Sequence, residues 1–160
     1  LDRSIRIGNI VQVGNDAGQV TQITTRFTVL KHPAGTEFIV PNETLIGNTV
    51  QNQTFSDSRQ RLATSVGVAY GSDLDLVKRL LLDIAAAHPR VLADPAPSVL
   101  LMRFGESSID LDLGFWIADP EEGKANVISD INFAIWRAFR EHGVSIPFPQ
   151  REVRILNGAA

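Results

Sequence analysis

Four or five short strand-like runs crowd into about 55 residues at the start of this chain, and that density restricts the fold more than any other feature. Ile5, Ile7, Ile10, Val11 and Val13 lie in apolar runs broken by Gly8-Asn9. Asn15-Asp16-Ala17-Gly18 reads as a tight turn, with Gly18 suited to positive φ. From Val20 to Leu30 the β-branched residues Val20, Thr21, Ile23, Thr24, Thr25, Thr28 and Val29 favour strand over helix. His32-Pro33-Ala34-Gly35 turns the chain again and Glu37–Val40 pairs back. Pro41 has no N–H and ends that strand; Asn42 then bends the chain towards a last strand, Thr49–Phe55. So short a run of strands is too small for a two-layer sandwich. It predicts a small curled barrel with a thin core, of the kind that neighbouring copies stabilise.

The remainder alternates strand and helix. Leu62–Tyr70 is a strand with Leu62, Thr64, Val66 and Val68 on one face. Asp73 is placed as an N-cap, and Leu74, Val77, Leu80, Leu81 and Ile84 form a helical stripe that ends near His88, before Pro89. Val99–Phe104 and Ile109–Ile117 are strands. The second sets Ile109, Leu111, Leu113 and Phe115 against Asp110, Asp112, Gly114 and Trp116. A second helix is predicted from about Glu122 to His142, with Val127, Ile128, Ile131, Ala134, Ile135 and Ala138 inward and Gly143 at C′. Glu152–Leu156 is expected to close the sheet. The fold class is α+β: a small all-β barrel, Sm-like or OB-like, then a ferredoxin-like β-α-β-β-α-β sandwich. The boundary falls in the polar bridge Ser56–Arg61, dividing the chain into residues 1–57 and 58–160.

Charge changes sign at this bridge. Residues 1–61 hold six Lys/Arg and five Asp/Glu; residues 62–160 hold nine and thirteen. The net charge of −3 gives no general attraction to nucleic acid or anionic lipid. With no cysteine, disulfides and thiolate chemistry are excluded. No apolar run reaches the roughly 18–20 residues that span a bilayer, and no signal peptide is visible. A first residue Leu1 suggests an excised piece of a longer protein.

Catalytic chemistry finds little footing. Asp110 and Asp112 share one strand face, and the reading is a solvated sheet face rather than paired catalytic carboxylates. His32, His88 and His142 are not at metal-ligand spacing from one another. Ser107-Ser108 lacks recognisable His and Asp partners, and Gly14 and Gly18 lack the strand-to-helix setting of a phosphate loop. The chain is expected to be no enzyme and to need no cofactor or metal. Arg3, Arg6, Arg26 and Lys31 on the barrel raise an RNA-binding reading, but only Phe27 and Phe38 accompany them and no basic cluster forms.

Several motifs converge on one family. Arg6-Ile7-Gly8-Asn9-Ile10-Val11, Ala17-Gly18-Gln19-Val20, Ile39-Val40-Pro41-Asn42-Glu43-Thr44-Leu45-Ile46, Gly67–Asp73, His88-Pro89-Arg90-Val91-Leu92, Phe115-Trp116-Ile117 and Ile146-Pro147-Phe148-Pro149-Gln150-Arg151 follow in order. In this order and spacing the chain resembles the non-membrane portion of the small-conductance, MscS-like mechanosensitive channels. The resemblance marks Gly8, Gly18, Pro41, Asn42, Pro147 and Pro149 as structural motif residues. Asn9 departs from the family's usual Asp, with only a local effect on the turn expected.

The resemblance implies a heptameric channel of the bacterial inner membrane that releases ions and small osmolytes under membrane tension. This chain would form the cytoplasmic vestibule, an Sm-like β-domain followed by a ferredoxin-like αβ-domain, with the pore-lining helix just before Leu1 and solute portals between subunits. Its C-terminal strands would close a barrel at the base, or else belong to the αβ-sheet. An RNA-binding Sm-like module fused to a ferredoxin-like domain, and a small-molecule-sensing regulatory domain, are the competing readings.

Overall fold

Val11 and Val13 are buried while Gln12 between them is exposed, the two-residue period of a strand with one dry face. The computed structural model describes residues 4–158, so Arg3 lies outside the described residues. Its first sheet comprises β1 (Ile10–Val13), β2 (Asp16–Ile23), β3 (Phe27–Lys31), β4 (Glu37–Pro41) and β5 (Val50–Asn52). All pairings are antiparallel, in the order β4-β3-β2-β1-β5. Val20 and Leu30 sit at the centre of its core with Val11, Val13, Val40 and Leu45. Burying each such side chain contributes about 1.5–3 kcal/mol.

Two features of this half differ from the sequence reading. A six-residue helix, α1 (Asn42–Gly47), follows Pro41 where only a corner was expected; Pro41 is both the last residue of β4 and the cap of α1. The missing N–H of proline costs nothing at a helix start, so one residue ends the strand and begins the helix. The sheet also stays open within one chain, with β4 and β5 as unpaired edges.

The second sheet comprises β6 (Gln60–Val68), β7 (Ser98–Phe104) and β8 (Ile109–Ile117), ordered β6-β8-β7 and antiparallel throughout. The predicted alternation in β8 holds: Ile109, Leu111, Leu113, Phe115 and Ile117 are buried, and Asp110, Asp112 and Trp116 are half-buried on the other face. Two helices, α2 (Leu74–Ala87) and α3 (Ala125–Glu141), share one apolar core with the odd-numbered residues of β8, and a single 3-10 turn, Pro120–Glu122, precedes α3. The Asp73 carboxylate accepts the N–H groups of Asp75 and Leu76, both at 3.1 Å, and so caps α2. The class is α+β.

In α3 the fully buried residues are Val127, Ile131, Ile135 and Phe139, whereas Ile128, Ala134 and Ala138 only flank them. Phe139 was not expected inside. Its burial follows from how the helix ends. Gly143 takes φ 68°, which brings the Val144 N–H to the Phe139 carbonyl at 2.8 Å and packs both side chains into the core. This is a Schellman ending, with its usual apolar contact.

The sixth element is absent. Glu152–Leu156 forms no strand, and Val153, Ile155 and Leu156 project into solvent. The outer strands β6 and β7 each keep a free edge, and this segment pairs with neither. The second half is therefore β-α-β-β-α followed by an extended tail.

Candidate functional site

Pro41 and Asn42, placed at a corner by sequence, form the best-determined polar site of the first sheet. Asn42 is 9% exposed and Thr28, across from it on β3, is 0% exposed. The Thr28 hydroxyl donates to Asn42 Oδ1 at 2.9 Å, and Asn42 Nδ2 donates to the Thr24 carbonyl at 2.8 Å. The Asn42 backbone N–H reaches the Arg26 carbonyl at 2.8 Å. Asn42 therefore fastens the start of α1 to the β2–β3 turn. Among the described residues no buried side-chain N or O lacks a hydrogen-bond partner.

Gly8 and Gly18 have different reasons to be glycine. Gly8 adopts φ 94°, a left-handed conformation, in a turn whose N–H bonds Val20 O at 2.8 Å. Gly18 does not have the positive φ expected of it; it is inside β2. A β-carbon there would lie 2.7 Å from the backbone carbon and oxygen of Lys31, so the close crossing of β3 excludes any side chain. Asn9 reaches further than its own turn. Its Oδ1 accepts from Arg6 N at 2.8 Å and from Asn52 Nδ2 at 3.1 Å, tying the entry of β1 to β5. An Asp carboxylate could accept the same two donors.

Pro147 is half-buried and Pro149 exposed, in the extended segment after α3. That segment is held at two points: Ala69 N to Ser145 O at 3.0 Å, and Gln150 N to Ser107 Oγ at 3.0 Å. The motif after α2 ties together the elements around it. Arg90 grips Asp119 through Nε at 2.9 Å and bonds the Asp119 carbonyl at 2.8 Å. His88 Nδ1 accepts the Arg90 N–H at 3.1 Å, so its Nε2 carries the proton donated to Asp130 at 2.9 Å. Sequence reasoning missed this tie because Arg90, Asp119 and Asp130 lie far apart along the chain.

The sheet face opposite the helices carries Arg61, Ala63, Ser65 and Gly67 of β6 beside Trp116, Gly114, Asp112 and Asp110 of β8. Asp110 and Asp112 do share this face, but each has its own partner. Ser108 donates to Asp110 at 2.7 Å and Arg103 pairs with it at 3.1 Å. The Ser108 hydroxyl first, and then Arg103, hold the Asp110 carboxyl below the usual carboxylate range. Asp112 accepts from Ser65 at 2.5 Å. Arg26 and Lys31 flank opposite ends of β3, roughly 15 Å apart along the strand, so they make no cluster.

Large apolar side chains remain uncovered on several surfaces. Ile39 on β4 is 68% exposed; Ile46 and Phe55 border a cleft of about 730 Å³ beside the β5 edge. Phe133 and Trp136 project from α3, Leu100 and Met102 from β7, and Phe148 and Ile155 from the tail.

Residues 62–146 match the family described as "Mechanosensitive ion channel MscS, C-terminal", and residues 1–55 match "Mechanosensitive ion channel, beta-domain". An MscS family protein of Haemophilus influenzae is 37% identical over 98% of this chain and 14% of its own length. The mechanosensitive channel MscK of Escherichia coli is 34% identical over 98% of this chain and 14% of its own. The small-conductance mechanosensitive channel of Edwardsiella ictaluri is 31% identical, with 97% of this chain and 53% of that protein covered. The chain thus corresponds to a part of each relative. In structure, the closed-state MscS of Helicobacter pylori superimposes with TM-score 0.82 over 96% of this chain and 60% of that one, at 24% identity.

Proposed function

Given that the chain belongs to the MscS family of mechanosensitive ion channels, we propose that it builds the vestibule wall of such a channel. Copies of it would assemble side by side, seven in the closed ring that the resemblance implies, on the cytoplasmic side of a bacterial inner membrane. Membrane-spanning helices elsewhere in the full protein would sense tension and pass ions and small osmolytes. No helix among the described residues is long and apolar enough to cross a membrane. The role assigned to this chain is architectural, with no catalytic step.

The observation that carries this reading is the open first sheet. Its β4 and β5 edges are both unpaired, and apolar Ile39, Ile46 and Phe55 stand uncovered beside them. A free edge exposes unpaired backbone donors and acceptors. Two unlike edges on one subunit suit a head-to-tail contact, which generates a ring when the rotation closes.

The test is electrical. Full-length protein containing this chain, reconstituted in a lipid bilayer, is expected to give discrete conductance steps under applied suction. Phe55→Asp in that protein is expected to remove the steps while leaving the polypeptide in the membrane. Folded, membrane-inserted wild-type protein that stays silent under all tensions short of rupture would contradict the reading.

A further inference from the structure

The residue that ends α2 serves two partners at once. His88 follows Ala87, and only 11% of its side chain is exposed. Its Nδ1 accepts the Arg90 N–H at 3.1 Å, and its Nε2 donates to Asp130 of α3 at 2.9 Å. From His88 to Leu92 the chain runs as a strap across this end of the domain. The Val91 N–H returns to the His88 carbonyl at 3.1 Å, and the Leu92 N–H reaches the Trp116 carbonyl of β8 at 2.8 Å. Arg90 Nη2 donates to the Asp119 carbonyl at 2.8 Å. The strap therefore joins α2, α3 and the end of β8.

A neutral imidazole has one donor and one acceptor, and both are in use here. A protonated ring has two donors and no acceptor. No rotation of the ring then gives the Arg90 N–H an acceptor, because either nitrogen carries a hydrogen. Two charged groups face the ring: Asp130 from α3, and Arg90 from the strap, whose guanidinium is turned to Asp119 and to the neutral Asn126. The last turn of α2 holds no basic residue. Its carbonyl end attracts a cationic ring, as does Asp130, whose pull is screened because its side chain is 65% exposed. None of these groups changes what a second proton does at Nδ1.

We propose that His88 is a pH-sensitive catch on this strap. The neutral ring fastens Arg90 and α3 together. Once protonated, it keeps Asp130 and releases the Arg90 N–H. The strap then loosens from the end of α2, while the hold of α2 on α3 gains a charge. Histidine ordinarily changes charge between pH 5 and 8, whereas carboxylates ordinarily titrate near about pH 4, below that window. The catch lies within one chain and works alike in a monomer and in a ring, so it stands or falls apart from the vestibule reading.

Amide hydrogen exchange in the whole chain, corrected for the chemical exchange rate at each pH, tests this at Arg90. Protection of the Arg90 amide is expected to fall about tenfold from pH 8 to pH 5.5. His88→Asn sets an amide oxygen where Nδ1 stood, in an Asx turn that carries no titrating proton. Its Arg90 protection is expected to stay within about twofold over the same range. His88→Gln reaches towards Asp130 without an acceptor at the Nδ1 position, and should leave Arg90 weakly protected at both pH values. Ring nitrogen shifts of His88 read the catch with no substitution: at pH 8, Nε2 carries the proton and Nδ1 does not. Wild-type protection that is equal at the two pH values overturns the proposal. So does a fall in His88→Asn as large as in wild type, which would place the acid-sensitive group elsewhere. The opposite tautomer at pH 8 overturns it as well.

Discussion

The buried hydroxyl of Thr28 donates to Asn42 Oδ1 at 2.9 Å, across the junction between β3 and the start of α1. Thr28 is fully buried and Asn42 nearly so, so water does not readily replace either partner. Asn42→Ala therefore strands the Thr28 hydroxyl and the Thr24 carbonyl, and is expected to cost about 2–3 kcal/mol in urea unfolding. Thr28→Val should cost less, because Asn42 keeps its bond to Thr24. The double variant should fall short of the sum by about 1 kcal/mol. Strict additivity would show that the pair is not coupled.

Gly18→Ala is expected to destabilise the first sheet by about 2–3 kcal/mol, since the new methyl would meet Lys31 backbone at 2.7 Å. Gly47→Ala, where nothing lies within 4 Å, serves as the control and should be near neutral. Thermal melts that rank the two variants equally would remove the close-crossing explanation.

Phe139→Ala should cost about 3–5 kcal/mol, as truncation of a side chain 1% exposed leaves a cavity. Phe133→Ala, on the other side of the same helix, should leave monomer stability within about 0.5 kcal/mol. Equal effects would mean that the inward face of α3 has been misplaced.

These particular residues show what a sequence carries. The strand Ile109–Ile117 and the helix after Asp73 were legible because alternation, helical stripe and cap all point the same way. Phe139 was hidden because its burial depends on Gly143 turning the chain so that Val144 packs beneath it, a relation between helix end and core that a simple stripe omits. The helix α1 was hidden because six residues hold too few apolar positions to show a period. Glu152–Leu156 alternates like a strand, but alternation does not say whether a segment pairs, and this one lies against neither free edge of the second sheet. Of the motif residues, Asn42 was placed at a turn, but its buried bonds to Thr28 and Thr24 depend on contacts across the sheet.

Asp110 offers a pH-dependent readout. Its carboxyl titrates below the usual carboxylate range because of Ser108 and then Arg103. The sign follows from the depressed folded-state value: the contribution to stability is complete above the ordinary carboxylate range, about pH 4, and is lost as pH falls through the lower folded value. Carbon-detected NMR titration should show Asp110 titrating upward towards the ordinary range in Ser108→Ala. An unmoved midpoint would assign the depression to Arg103 alone.

Mass in solution, by light scattering on a sizing column, tests the central claim most directly. The vestibule account predicts a closed assembly near seven times the 17.5 kDa of one chain, and its loss on Phe55→Asp with the fold retained. A single 17.5 kDa species at every concentration would contradict the claim that these exposed edges and apolar faces are built to meet copies of themselves.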